Sequence, residues 1–133
     1  MYLMDTCTFL WYIESGNRLP AAVREIIDNS ENIYLSQATF WEIVIKQTIG
    51  KINLNMTSFE LDDKCKKENI TVLPLQCEYF ERVKKLPLIH KDPFDRIIMA
   101  TAIEKILTLL TKDSNIVKYD GVKTLWQINK EDK

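Results

Sequence analysis

The sequence predicts an α/β domain with a mainly parallel central sheet of about five strands flanked by helices. Two observations carry this expectation. Short apolar runs alternate with longer segments of helical spacing along the 133 residues, and only 3 Gly and 4 Pro punctuate them. The composition, 46% hydrophobic and 28% charged, is that of a folded globular chain. Strand and helix in regular alternation imply parallel strands joined by helical crossovers. No repeat, low-complexity tract or linker divides the chain, so residues 1–133 read as a single domain.

The elements follow in order. Met1–Met4 is the first strand, followed by helical segments at 6–15 and 20–29. Ile33–Leu35 is the second strand. Ser36 stands directly after it as the N-cap of a helix over 37–48, which Gly50 ends. A helix over 57–68 leads into the strand Ile70–Leu73, and another helix covers 76–85. Asp92-Pro93-Phe94-Asp95 is a helix start, with a capping carboxylate, Pro at the first helical position and an acid in the first turn of a helix over 93–104. Ile106–Leu110 and Thr124–Trp126 complete the strands.

Lys and Arg number 18 against 19 Asp and Glu, giving a net charge of −1. That balance excludes a protein whose whole surface grips nucleic acid. Cys7, Cys65 and Cys77 are odd in number, and His90 is the single histidine, so neither a disulfide scaffold nor a structural zinc site is expected. The apolar start lacks a basic region and carries Asp5, which argues against a secretory leader. No apolar stretch approaches the ~20 residues of a membrane span, and a cytoplasmic protein is expected.

Four of the 19 acids lie where charge is costly. Asp5, at the carboxyl end of the first strand, suits a site and equally suits the cap of the helix beginning near Thr6. Glu42 sits within Phe40-Trp41-Glu42-Ile43-Val44-Ile45, where its ordinary role is a pair with Lys46 worth ~0.3–0.5 kcal/mol. Asp95 precedes Ile97-Ile98, where an acid ordinarily serves the helix N-terminus for ~0.3–1 kcal/mol. Asp113, within Thr111-Lys112-Asp113-Ser114-Asn115, ordinarily forms a turn. Singly, the last three favour those ordinary roles. Together they do not. Open parallel sheets bind ligands at the carboxyl ends of strands near the point where strand order reverses. Asp5 and Asp113 follow strands at that edge, and Glu42 and Asp95 lie on helices able to face it. Carboxylates gathered there repel one another unless a cation is present, and hard oxygen donors select Mg²⁺ or Mn²⁺. Such ions support phosphodiester hydrolysis.

These motifs resemble the PIN-domain family, most closely its VapC-type toxin branch from bacterial type II toxin–antitoxin modules. The resemblance is carried by Tyr2-Leu3-Met4-Asp5-Thr6 with Phe9-Leu10-Trp11, then Ser36 with Trp41-Glu42-Ile43 and Lys46, then Gly50-Lys51-Ile52. It continues through His90-Lys91-Asp92-Pro93-Phe94-Asp95-Arg96, Ala100-Thr101-Ala102 and Leu110-Thr111-Lys112-Asp113, to about Trp126. It implies a single three-layer PIN-like domain and an endoribonuclease dependent on Mg²⁺, with Mn²⁺ as an alternative. Its catalytic residues would be Asp5, Glu42, Asp95 and Asp113. Asp5 and Asp95 would be the firmest metal ligands and Asp113 would complete the acidic cup, while Glu42 would orient the attacking water or act as a base. Thr6 and Thr111 would hydrogen-bond these carboxylates, and Arg96 would contact a phosphate or pair with an acid. Cys7 stands where many relatives carry His, and reads as a small buried hydrophobe. His90 reads as a loop residue before the Asp92 cap.

The partners implied are an RNA substrate, a second copy of the chain and a small antitoxin, with no membrane. Lys64, Lys66, Lys67, Lys84, Lys85, Lys91 and Arg18 are the candidate phosphate contacts. The groove expected for the antitoxin lies near Phe9-Leu10-Trp11-Tyr12 and the helix around Trp41. Two other classes fit poorly. A haloacid-dehalogenase-type phosphohydrolase needs a second Asp where Cys7 stands, and a receiver domain needs one after the third strand, where Pro74-Leu75 follows. The serious alternative is a catalytically silent PIN-like module that binds RNA or protein. Setting the four acids aside leaves the rest of the chain mildly basic, so the net charge does not count against a nuclease.

Overall fold

Successive side chains of a strand face opposite ways, so a strand that is apolar at consecutive positions needs cover on both faces. Leu3 and Met4 are both fully buried, as are Leu109 and Leu110, and each pair divides between two apolar clusters. The computed structural model describes residues 1–14 and 16–126. Within them lie β1 (Tyr2–Met4), β2 (Ile33–Ser36), β3 (Ile70–Leu73), β4 (Thr108–Leu110) and β5 (Thr124–Leu125). All pair in parallel, in the order β3-β2-β1-β4-β5.

The helices are α1 (Thr6–Ile13), α2 (Ala21–Asn29), α3 (Gln37–Thr48), α4 (Ser58–Lys67), α5 (Cys77–Lys85), α6 (Pro93–Lys105) and the short α7 (Ser114–Val117). Tyr79 of α5 and Ile97, Ile98 and Met99 of α6 cover Leu3 and Leu109 on one face. Phe9 of α1, Val23 and Ile27 of α2, Ile43 of α3 and Leu61 of α4 cover Met4, Leu35 and Leu110 on the other. The result is the expected three-layer α/β arrangement.

Connectivity positions the site. The chain builds from β1 outward through β2 to β3, then returns to lay β4 against the other side of β1. The reversal therefore falls between β1 and β4, where Met4 is in register with Leu110. Asp5 and Thr111 leave the sheet side by side, and the Asp5 amide donates to the Leu110 carbonyl at 3.2 Å.

Caps form where the sequence predicts them. Ser36 accepts from the Ala38 amide, and Asp92 accepts from those of Phe94 and Asp95, with Pro93 at the start of α6. Gly50 adopts φ +76° just past α3, a conformation that favours glycine.

Three expectations need correction. The helix expected over 6–15 ends at Ile13; Ser15, like the tail 127–133 of the expected 1–133 domain, lies outside the described residues. The strand expected over Ile106–Leu110 begins only at Thr108. Ile106 is 84% exposed and left-handed at φ 56°. It closes α6 in a Schellman arrangement, with the Leu107 amide donating back to the Ala102 carbonyl at 2.8 Å. Apolar character argues for a strand at Ile106, but the helix needs a stop there. Finally, Ser114–Val117 forms a turn of helix where the sequence suggests only a turn around Asp113.

A β-branched residue in the left-handed region costs ~1–2 kcal/mol, which glycine avoids. Ile106→Gly is expected to stabilise the fold by about 1 kcal/mol in urea unfolding, while Ile106→Val leaves the midpoint in place. A lower midpoint for the glycine variant would refute the strain.

Candidate active site

The carboxyl ends of β1 and β4 and the starts of α1, α6 and α7 converge on one cleft of about 780 Å³. Asp5, Glu42, Asp95 and Asp113 all line it, and so does Asp92, which the sequence marks only as a cap. Thr6, Cys7, Lys46, Lys51, Lys112 and Ser114 complete its polar wall.

Asp5 sits at the junction of strand and helix because β1 ends there and α1 begins at Thr6. Its Oδ1 accepts from the Thr8 amide at 2.8 Å and from the Thr8 hydroxyl at 2.6 Å; its Oδ2 accepts from Thr111 Oγ1 at 2.5 Å. Asp5 therefore caps α1 and faces the cleft at once. Burial raises its pKa, the bonds from Thr111 and Thr8 work against that, and Asp113 adds repulsion. Thr111 in turn accepts from the Asp113 amide at 3.1 Å, tying the two acids together. Asp113 Oδ1 caps α7 through the Asn115 amide at 2.8 Å, leaving Oδ2 turned elsewhere.

Glu42 is buried on α3 with each oxygen engaged. Oε1 accepts from Thr6 Oγ1 at 2.6 Å, and Oε2 pairs with Lys46 Nζ at 2.7 Å. The i,i+4 pair expected from sequence forms, but inside the cleft. Burial opposes the Lys46 charge, yet the bond to Glu42 and the fields of Glu42, Asp92 and Asp95 hold its pKa above the ordinary lysine value. It is a fixed positive charge on the cleft wall.

Asp95 stands in the first turn of α6, with its carboxyl group pushed up to about 7. Burial contributes most, then the charges of Asp92 and Glu42, against a lowering contact from His90. That shift combines the cost of burying the carboxylate with the repulsion of its acidic neighbours.

The residue that sequence reasoning misses is His90. Its Nε2 lies 2.7 Å from Asp95 Oδ2 and 3.1 Å from Asp113 Oδ2. Two anchors deliver the ring there. The Tyr119 hydroxyl accepts from the His90 amide at 2.7 Å and donates to the Pro87 carbonyl at 2.9 Å. Arg96, expected to contact a phosphate or pair with an acid, pairs with no acid among the described residues. Its guanidinium is buried and donates to the carbonyls of Pro87, His90, Val83 and Leu86. It supports the site by holding the 83–90 segment that presents His90. The available signal is His90's place five residues before Asp95, but the anchoring depends on partners distant in sequence.

The remaining expectations fare unevenly. Among the described residues, none of Lys64, Lys66, Lys67, Lys84, Lys85 or Lys91 lines the acidic cleft; Lys46, Lys51 and Lys112 supply its positive rim. Arg18 stacks over Trp11 at 5.3 Å and Lys112 over the same ring at 4.5 Å. Cys7, expected to be buried, is partly exposed on the cleft wall. Burial and Asp5 push its thiol up against Lys112, Arg18 and Lys46, so it is neutral rather than a reactive thiolate. Phe9 and Tyr12 are core residues, while Leu10 and Trp11 line a groove of about 400 Å³ with Lys51, Ile52 and Leu54. Trp41 is 60% exposed and lines a separate apolar cavity of about 580 Å³ with Leu75, Phe80, Val83 and Leu88.

The donor set fits a hard divalent cation. Carboxylates from separate elements meet in one cleft, Asp95 is held partly protonated by burial and its neighbours' charge, and Asp5, Asp95 and Asp113 are the residues that would hold the ion. A folded-state pKa raised above the ordinary value of 3.8 gives a contribution fully present below that value and lost as pH rises through about 7. The repulsion from Asp92 and Glu42 is specific to the folded chain. The metal-free protein is therefore expected to lose on the order of 2 kcal/mol of urea stability between about pH 5 and about pH 8. Asp95→Asn is expected to flatten that loss, and saturating Mg²⁺ to reverse it. An unchanged pH profile in Asp95→Asn would count against the raised Asp95 pKa, to which burial contributes most.

The PIN domain family model matches residues 2–122. No curated protein matches. Among solved structures, the chain is similar to VapBC2 from Rickettsia felis bound to a DNA fragment from its promoter, at 15% identity and a TM-score of 0.68, covering 95% of this chain and 98% of that one. DNA-bound VapBC from Salmonella typhimurium gives 17% identity and 0.67, covering 93% and 96%. A toxin–antitoxin complex from Klebsiella pneumoniae gives 23% and 0.64, covering 96% and 100%. At such identities these likenesses speak to the fold. The family match spans nearly the whole chain and includes Asp5, Glu42, Asp95 and Asp113, and the chain belongs to the PIN domain family.

Proposed function

We propose that this chain is a divalent-metal-dependent endoribonuclease and the toxin of a type II toxin–antitoxin module. The observation that carries the reading is the meeting of Asp5, Glu42, Asp92, Asp95 and Asp113 in one cleft at the reversal of strand order. Membership of the PIN family supports phosphodiester hydrolysis as the reaction class.

When bound, Mg²⁺ or Mn²⁺ would offset the charge of the reacting phosphate and activate the attacking water. The chain's own residues do the rest. Asp5 and Asp95 would hold the ion and Asp113 would complete the cup. The bonds from Thr8 and Thr111 leave Asp5 Oδ2 a lone pair for the cleft and fix its direction. Glu42 is held by Thr6 and Lys46, with one lone pair left on each oxygen to orient the water. Lys46 stays protonated and, with Lys51 and Lys112 on the rim, meets the phosphate's negative charge.

The similar solved structures are toxin–antitoxin complexes, two of them bound to DNA. A small antitoxin is accordingly the proposed protein partner, with a second copy of the toxin in the assembly. The exposed apolar face around Trp41, Phe80 and Leu88 is the surface suited to protein partners.

Purified protein is expected to cut RNA in Mg²⁺ or Mn²⁺, and to stop on chelation. Asp5→Asn and Asp95→Asn are expected to lose at least ~100-fold in rate, an effect of the size seen when charge stabilisation is removed. Growth arrest on induced expression should be relieved by Asp5→Asn. Cleavage unchanged in both variants would sink the assigned roles, and no cleavage of any RNA by wild type would favour the silent binding module.

A further inference from the structure

The His90 ring lies against two carboxylates of the cleft, Asp95 and Asp113. We propose that His90 Nε2 is a ligand of the bound divalent ion beside Asp95 and Asp113, and that this nitrogen tilts the site toward Mn²⁺ over Mg²⁺. The inference rests on the metal-dependent reading above.

Three observations support it. His90, Asp95 and Asp113 each offer a ligand atom, all within 4.8 Å of one another. Neighbouring positions in an octahedral shell with bonds of ~2.1 Å lie roughly 3 Å apart. The spacings of 2.7 and 3.1 Å from Nε2 to the two carboxylates therefore need little adjustment to surround an ion. The oxygens available also match, since Asp113 spends Oδ1 on capping α7 and turns Oδ2 to His90.

The ring is also delivered by a rigid support. Arg96 and Tyr119 pin the backbone of the His90 segment through carbonyls and an amide, leaving the imidazole free to do something other than hold the loop. Ligand sites are built this way, with the supporting contacts fixing the position of the ligating group. The chemistry sets the preference. Mg²⁺ takes oxygen ligands and holds its waters, whereas an imidazole nitrogen suits transition-metal ions better. A site of carboxylates alone lacks that bias.

The test uses the full, tag-free chain without RNA. Because His90 is the single histidine, isotopic labelling of histidine nitrogen reports on it alone. Pulsed EPR of the Mn²⁺-loaded protein should show hyperfine coupling to the labelled nitrogen. Calorimetric titrations with MnCl₂ and MgCl₂ should show His90→Ala and His90→Gln losing at least ~10-fold in Mn²⁺ affinity and much less in Mg²⁺ affinity, a size typical of a disturbed ligand contact. Absence of nitrogen coupling in wild type overturns the proposal without needing either variant to fold. An unchanged ratio of Mn²⁺ to Mg²⁺ affinity in folded variants overturns it too, while leaving the metal-dependent reading intact. Failure of wild type to bind either ion would overturn both.

Discussion

Carboxylates gathered in a part-buried cleft repel one another, and much of the surrounding chain answers that repulsion. Asp5 is met by Thr8 and Thr111, Glu42 by Thr6 and Lys46, and Asp95 and Asp113 by His90. Asp5 and Asp95 also lie at the amino ends of α1 and α6, where the helix backbone presents partial positive charge. The compensation is incomplete at Asp95, whose carboxyl group remains pushed up to about 7. A divalent ion in the cleft would offset the part of that shift owed to Asp92 and Glu42.

Structural and functional readings of an acid are often set against each other, but one carboxylate has lone pairs enough for both. Asp5, Asp92 and Asp113 each cap a helix and each line the cleft. At Asp5 and Asp113, which follow β1 and β4, the coincidence has a geometric reason. In a parallel sheet with helical crossovers, the loop leaving a strand's carboxyl end is also the loop that starts the next helix. A capping carboxylate placed there already stands at the ligand-binding edge. Its second oxygen or remaining lone pairs are then available to the cleft.

This explains what can be read from sequence. The alternation of strand and helix and the four main acids are legible because local signals coincide with the topology: Asp5 follows an apolar strand, Asp113 follows another, and Asp92-Pro93 starts a helix. His90 is not legible. Its position depends on Tyr119, 29 residues later, and on a buried Arg96 that serves four carbonyls, partnerships with no local trace. The positive rim misleads for a similar reason. Lysine runs such as Lys64, Lys66 and Lys67 stand out in sequence, while isolated Lys46, Lys51 and Lys112 are brought together only by the fold. Ile106 misleads by its apolar character, because helix termination there is set by backbone geometry rather than by side-chain type.

The pairing of β1 with β4 also governs when the cleft can exist. Thr111 bonds to Asp5 across 106 residues of sequence, and Asp113 reaches its place only after β4 has paired with β1. Contacts of such long range are slow to form and wait on the synthesis of β4. A ribosome-bound chain stopped before Asp113 has Asp5 and Glu42 but no assembled cup. For a protein proposed to cut RNA, synthesis itself therefore delays activity until β4 and Asp113 have been made.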